Sequence, residues 1–280
     1  MSTVIAAVTH EKHNMPGDEL YLPLMAGAFG MSVRETADYV RDDYGDNISE
    51  RNAGYCELTG LYWMWKNCDA DNIGLCHYRR YFAEPERFLA RMSRGARGAG
   101  GIFVRLSHAI AKRAPGADRY EYILTGYSAE HLMEQHEIVL PKPRNYLIET
   151  NYSQYAHAHD AAHLDIAREV ISDEYPEYLD AYDARMAMST GHRFNMFIMR
   201  RELLDEYCRW LFDILFELER RIGDSGSARV YGYIGERLLD VWIDKNGYEY
   251  TELPYVFIGK EHLLRKAALM IVRKLKNKLS

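Results

Sequence analysis

Apolar positions along the chain fall into two rhythms. Val4 to Val8 is a short β-branched run that ends at "THEKH", a strand followed by a loop. Residues 20–40 are mixed and only loosely helical. The stretch from Arg41 to Asn52 is polar, with Asn47 or Ser49 placed to cap a helix. Tyr55, Leu58, Leu61, Tyr62 and Trp65 then recur at helical spacing. "NIGLCHYRRYF", Asn72 to Phe82, reads as one buried strand with a costly polar end. "YEYILTGY" and "HEIVLPKP" read as further strands, the second stopped by Pro141 and Pro143. Ala156–Ile171 has helical spacing. "FNMFIM" is a strand that runs into a long amphipathic helix. "RVYGYIGERLLDVWIDKNG" is a loop and helix closed by Gly247, and "YEYTELPYVFI" is a last strand. Strands alternating with helices predict one α/β domain over residues 1–259 with a mixed sheet flanked by helices. Residues 260–280 form a separate tail.

The 280 residues can bury a sizeable core, and 48% hydrophobic with 27% charged residues excludes a disordered chain. Seven Lys and Arg against one Glu make residues 260–280 +6. By subtraction from the net charge of −6, the rest carries about −12. An acidic body argues against a general nucleic-acid binder. The tail alternates basic and apolar residues, which suits either an amphipathic helix on an anionic membrane surface or a helix packed on the domain. Four cysteines without zinc-ligand spacing, and an apolar opening too short to span a bilayer, predict a cytoplasmic protein with reduced thiols. Residues 92–118, rich in Gly, Ala and Arg, read as a basic excursion, either a lid or a variable loop.

Candidate chemistry gathers at few places. Asp69-Ala70-Asp71 spells a metal-binding D-x-D, but it precedes an apolar strand instead of following one, which favours a surface turn. The strand exit carries His77, Tyr78, Arg79 and Arg80 instead. Ligands collect at the carboxyl ends of strands in open α/β sheets, and guanidinium forks can neutralise a diphosphate without metal. The structural alternative is an ion-paired edge with Arg80 and Tyr81 facing solvent. His157, His159 and His163 fall on one predicted helix without a third metal ligand. Asp42, Asp43 and Asp46 read as a solvated loop. Glu236 reads as the start of a helix, either as a proton acceptor or as an acid favoured by the helix dipole. P-loop, nucleophile-elbow and dinucleotide-binding signatures are absent from the sequence.

Several blocks, taken in order, resemble one family: "DNISERNAGYCELTGLYWMWKN", "IGLCHYRRYF", "IVLPKPRNYLIET", "FNMFIMRRELLDEYCRWLF" and "RVYGYIGERLLDVWI". They are similar to a bacterial capsular and exopolysaccharide glycosyltransferase family, long filed as a domain of unknown function, over Val4 to Ile258. The resemblance implies a GT-A-like fold, a nucleotide-activated sugar donor, UDP-linked, and for some members galactofuranose transfer. It places the nucleotide near Thr9, His10, Lys12, Asn47 and Ser49, and the diphosphate or sugar near His77, Tyr78 and Arg79. Glu57, Arg193 and Asn195 would line the sugar and acceptor pocket, and Glu236 would be the base of an inverting transfer. "THEKH" departs from the family's His-Lys pairing at Lys12, and residues 92–118 look like an insertion. No cofactor is expected, with a divalent metal as the less favoured alternative. The expected partners are a UDP-sugar, a polyprenyl-linked saccharide acceptor and, through the tail, the inner face of the cell membrane. A non-catalytic nucleotide- or saccharide-binding protein of a polysaccharide assembly complex is the alternative.

Overall fold

The computed structural model describes residues 1–84, 119–223 and 228–259. The 92–118 excursion and the 260–280 tail therefore lie outside the described residues. Nine strands of these residues form one mixed sheet. Strand β1 (Thr3–Thr9) pairs in parallel with β2 (Tyr21–Met25) on one side and β4 (Asn72–His77) on the other, and β3 (Val40–Arg41) adds in parallel to β2. The direction reverses beyond β4. There β9 (Phe197–Arg200) lies antiparallel to both β4 and β6 (Ile138–Pro141), and β10 (Thr251–Leu253) closes that edge in parallel with β6. Strands β5 (Arg80–Phe82) and β11 (Tyr255–Phe257) form an antiparallel flap attached to β4. A two-stranded ribbon of β7 (Arg144–Asn145) and β8 (Thr190–Gly191) lies apart from the sheet.

Both faces of the sheet are covered, which is why its central strands are apolar on successive positions through their middles, Val4 to Val8 and Ile73 to Cys76, and not only at alternate ones. In β1, Ala6 and Val8 face a large helical core while Ile5 and Ala7 face a smaller one; in β4, Ile73 and Leu75 oppose Cys76 in the same way. The large core is closed by α2 (Leu58–Asn67), α5 (Ala162–Glu174), α7 (Arg201–Ile222) and α8 (Val230–Asn246). Helix α7 buries Leu204, Tyr207, Cys208, Leu211, Leu215 and Leu218 along one stripe, each large side chain worth about 1.5–3 kcal/mol of burial. The smaller face is covered by α3 (Gly126–Gln135). Gly74, at the centre of β4, has no room for a side chain: a Cβ there would lie 2.9 Å from both Ile5 Cγ1 and the Phe197 carbonyl oxygen.

Several elements differ from the sequence reading. Residues 20–40 contribute β2, not loose helix. Pro23 is tolerated because β3 pairs only with Leu24 and Met25, so no partner on that side needs its missing N–H. "YEYILTGY" is not a strand but a single-turn helix at Arg119–Tyr122, one bridge at Ile123, and the start of α3, which Thr125 caps. Asn72–Phe82 is a hairpin, with Tyr78 and Arg79 forming its turn. The helix expected from Asn52 is broken into α1 (Asn52–Tyr55) and α2 by Cys56, whose φ is +54°. Ala156–Ile171 splits likewise into α4 (Asn151–Ala156), held by a Thr150–Ser153 capping box, and α5. The three histidines consequently do not share a helix. The last strand divides at Pro254 into β10 and β11. Among the described residues no helix is long and apolar enough to cross a membrane.

Candidate active site

The carboxyl ends of β1, β2 and β4 open into a cleft of about 690 Å³. Its strand-side wall is Thr9, His10, Ala26 and His77, continued by the hairpin residues Tyr78, Arg79 and Arg80. The opposite wall comes from Arg193 and Phe194 before β9 and from the first turns of α8, with Gly232, Tyr233, Glu236 and Arg237. Cys56 and Glu57, between α1 and α2, form the floor. This close approach depends on glycines. A Cβ on Gly54 would meet the Tyr231 ring at 2.8 Å, one on Gly235 would meet Leu58 at 2.8 Å, and one on Gly232 would meet the Tyr55 carbonyl at 3.2 Å. Small residues at these contacts let α8 sink onto α1 and α2, which brings Glu236 and Glu57 into one cavity.

The two carboxylates have opposite surroundings. Glu57 accepts from Asn195 Nδ2 at 2.7 Å and lies 3.5 Å from His77 Nε2, which also donates to the Phe194 carbonyl at 2.8 Å. Burial works to raise the Glu57 carboxyl, but the charge of His77 and these hydrogen bonds outweigh it and hold the group below its ordinary range. For His77, burial works downward and Glu57 overcomes it, so the imidazole is raised. Glu236 is raised instead, by burial first and then by the Glu57 charge, against the pull of Arg237, Arg193 and His77. Two acids pushed apart in one cleft is an arrangement that separates a fixed anion from a proton acceptor poised closer to neutrality. Glu236 lies in the second turn of α8 and not at its start, so the helix-dipole reading of this acid does not apply.

The backbone around the cleft is strained. Cys56, Phe194, Asn195 and Arg229 all have positive φ, at +54°, +78°, +47° and +69°. Each such residue costs about 1–3 kcal/mol and persists only where its surroundings enforce it. Polar atoms are also left unsatisfied here: among the described residues Asn195 Oδ1 and Arg237 Nε are buried without a partner. Arg237 is 4% exposed, donates to the Tyr233 carbonyl and Gln154 Oε1, and is lowered by burial and by the like charge of Arg193. Arg193 is anchored by the His192 and Glu236 carbonyls, the Tyr146 hydroxyl and Asn151. The thiol of Cys56 is pushed up to about 12 by burial and by Glu57, so it is a neutral wall group.

Of the residues singled out in the sequence, Thr9, His10, Glu57, His77, Tyr78, Arg79, Arg193 and Glu236 line this cleft, and Asn195 stands directly behind Glu57. Three others lie elsewhere. Lys12 is exposed and donates to the Arg34 carbonyl. Asn47 is engaged with the backbone of Gly45 and Ser49. Ser49 is buried, its hydroxyl donating to Asp42 at 2.5 Å and accepting from Phe29 N. Asp42 is likewise no solvated loop residue: it is fully buried and accepts from Gly27 N, Ala28 N, Ser49 and Thr59. Tyr81 is fully buried and Arg80 lines the cleft, so the solvent-facing edge is not what forms. Asp71 accepts from the backbone and hydroxyl of Ser2, at the end of β4 away from the cleft. Among the described residues no group of three His, Cys, Asp or Glu could hold a metal ion. The sequence reading missed Arg144, Tyr146, Gln154, Arg229, Tyr233 and Arg237 in the lining. Arg237 follows Glu236 directly, and that adjacency was the available signal.

Beside the cleft is a second cavity of about 400 Å³, lined by His13, Asn14, Tyr120 and Ile258. It shares Tyr78, Arg79 and Phe257 with the cleft, and His13 stacks on Tyr78 at 3.9 Å.

Residues 4–247 match the family described as a domain of unknown function, DUF4422. The chain belongs to the DUF4422 family. A solved structure described as the WbbM bifunctional glycosyltransferase in its apo form is similar to it, with 28% identity over 93% of this chain and a TM-score of 0.77. The chain spans 46% of that protein's length. No curated protein matches it. This DUF4422 chain thus has an α/β fold with a mixed nine-stranded sheet flanked by helices, resembling a glycosyltransferase.

Proposed function

We propose that this DUF4422 chain is a glycosyltransferase that moves a sugar, galactofuranose or another hexose, from a UDP-linked donor to a saccharide acceptor with inversion. The observation that carries the reading is the pair of acids pushed in opposite directions within a cleft rich in arginine. The kinship with a bifunctional glycosyltransferase supports it. The acceptor oxygen attacks the anomeric carbon and its proton passes to Glu236. The bond from that carbon to the diphosphate oxygen breaks, and the electron pair leaves on UDP. Arg79, with His77 and its hairpin neighbour Arg80, stabilises the departing diphosphate, because preorganised cations act where charge develops. Glu57, held ionised by His77 and Asn195, favours positive charge developing at the sugar ring.

The alternating basic and apolar sequence of residues 260–280 supports an acceptor carried on a polyprenyl lipid at the inner membrane face. The deciding experiment measures UDP release from a panel of UDP-sugars with and without saccharide acceptors. Acceptor-dependent release that is lost in Glu236→Gln supports the reading. UDP binding without release from any donor makes the chain a non-catalytic binder.

A further inference from the structure

The loop between β7 and α4 displays apolar side chains that the fold does not use. Leu147 is 82% exposed and Ile148 76%. Met188, whose carbonyl accepts from Asn151 N across the loop, is 46% exposed. Leu147 has a φ of +64°, which glycine would adopt without strain and leucine does not. The turn is nonetheless fixed. Leu147 N donates to Asn145 Oδ1 at 2.7 Å, and Ile148 N donates to the Tyr146 carbonyl at 2.8 Å. Its two stems are tied down by the pairing of β7 with β8 and by the Thr150–Ser153 capping box. Folding of the turn therefore does not account for two large apolar side chains left in water.

The loop stands at the rim of the cleft, which Arg144 and Tyr146 line. The Arg144 guanidinium lies 5.7 Å from the Phe194 ring, and Phe194 packs edge-on against Tyr255 at 5.4 Å. Tyr255 belongs to β11, the last described strand before the basic residues 260–280. One ring thus separates the stem of the loop from the strand that leads into the tail. We propose that the Leu147–Ile148 turn is a membrane contact, its two side chains entering the headgroup region of an anionic bilayer beside the cleft mouth. The choice of a lipid surface rests on the membrane-borne acceptor proposed above. Apolar side chains at a turn tip gain by entering that region, and basic residues gain from its negative potential. Arg144 is exposed and forms no ion pair among the described residues. Glu149, the acid of the loop, lies 2.7 Å from His157 Nδ1, and Lys142 is paired with Glu252 at 2.8 Å. A protein partner fits less well, because two side chains at a turn fall far short of the ~800 Å² per partner of a stable interface. A tail alone leaves the orientation of the domain free; a second contact fixes it with the cleft facing the lipid.

Flotation of the full chain with vesicles tests the contact without needing turnover. The vesicles are phosphatidylcholine alone and phosphatidylcholine mixed with phosphatidylglycerol. The wild type should float with the mixed vesicles. The double variant Leu147→Ser, Ile148→Ser should partition about tenfold more weakly, with its thermal midpoint and its UDP release on a water-soluble acceptor unchanged. Leu147→Trp reports the turn directly: vesicles with brominated acyl chains should quench its added emission. A wild type that stays soluble, or a double variant that floats equally well, overturns the proposal. So does a Leu147→Trp emission that is unquenched, or that is already blue-shifted without vesicles because the chain itself covers the turn. Self-association of the wild type that the double variant loses assigns the turn to a second copy and overturns it too. If the turn binds vesicles while the chain releases UDP from no donor, the transferase reading falls and the membrane contact stands.

Discussion

The two walls of the cleft are built on opposite principles. On the strand side, β1, β2 and β3 run parallel and their polar groups are satisfied: Asp42 alone takes up two backbone amides and two hydroxyls. On the side of α8 and the segment before β9, two consecutive residues have left-handed backbone, buried polar atoms lack partners, and two arginines lie side by side. The scaffold beneath one wall, at β1 to β3, is closed by hydrogen bonds to Asp42; the other wall stores backbone strain and like charge. Such a division is expected where a rigid scaffold supports a site that must act on something.

The comparison can be broken from either side. The largest effect expected is on turnover. Glu236→Gln should lower kcat by about 10²–10⁴-fold while the thermal midpoint holds or rises, because a recessed carboxylate is removed. Wild-type kcat/KM should fall on the acid side at a pH above the ordinary Glu value, since the base must be ionised and its pKa is raised. Next, Asp42→Ala should cost about 3 kcal/mol by leaving its buried donors without an acceptor. That is a fall in midpoint of about 6–12 °C by calorimetry. An unchanged midpoint would refute the view that the strand-side wall is the stabilising one.

His77→Gln should cost about 1 kcal/mol, and the cost should depend on pH. The depressed Glu57 contributes stability above its ordinary pKa of 4.5, lost as pH falls through its folded value. The raised His77 contributes below 6.5, lost as pH rises through its own. The mutant deficit in urea unfolding should therefore be widest between those two values and shrink on both sides. The smallest effect is expected from Cys56→Gly. Relief of a positive φ offsets the entropy that glycine adds to the unfolded chain, so stability should change by less than about 1 kcal/mol. A loss of 2 kcal/mol or more would mean that Cys56 is held by packing and not against strain.

Much of the scaffold was legible because two-sided burial makes a strand apolar through its middle, as in β1 and β4, and because α7 carries an uninterrupted stripe. The hairpin was not legible: nothing in "CHYRRY" marks a turn by glycine or proline, and the reversal is imposed by β11 pairing with β5 from 175 residues away. That reversal brings Arg80 into the cleft, against the alternation a continuous strand would impose. The family resemblance singled out Glu57, His77 and Glu236, and the fold brings the three to one cleft. Their unequal ionisation was not legible, because it arises from distances between segments remote in the chain. Ser49 and Asp42 misled for the same reason: a polar loop and a buried hydrogen-bond centre have the same composition.

The turn at Tyr78 and Arg79 is a party wall, two residues thick, between the cleft and the second cavity. A ligand that immobilises it from one side spares a ligand on the other side that ordering cost. By thermodynamic reciprocity the second then tightens the first by the same factor. Two ligands bound at once, one in each chamber, would meet at a single β-turn.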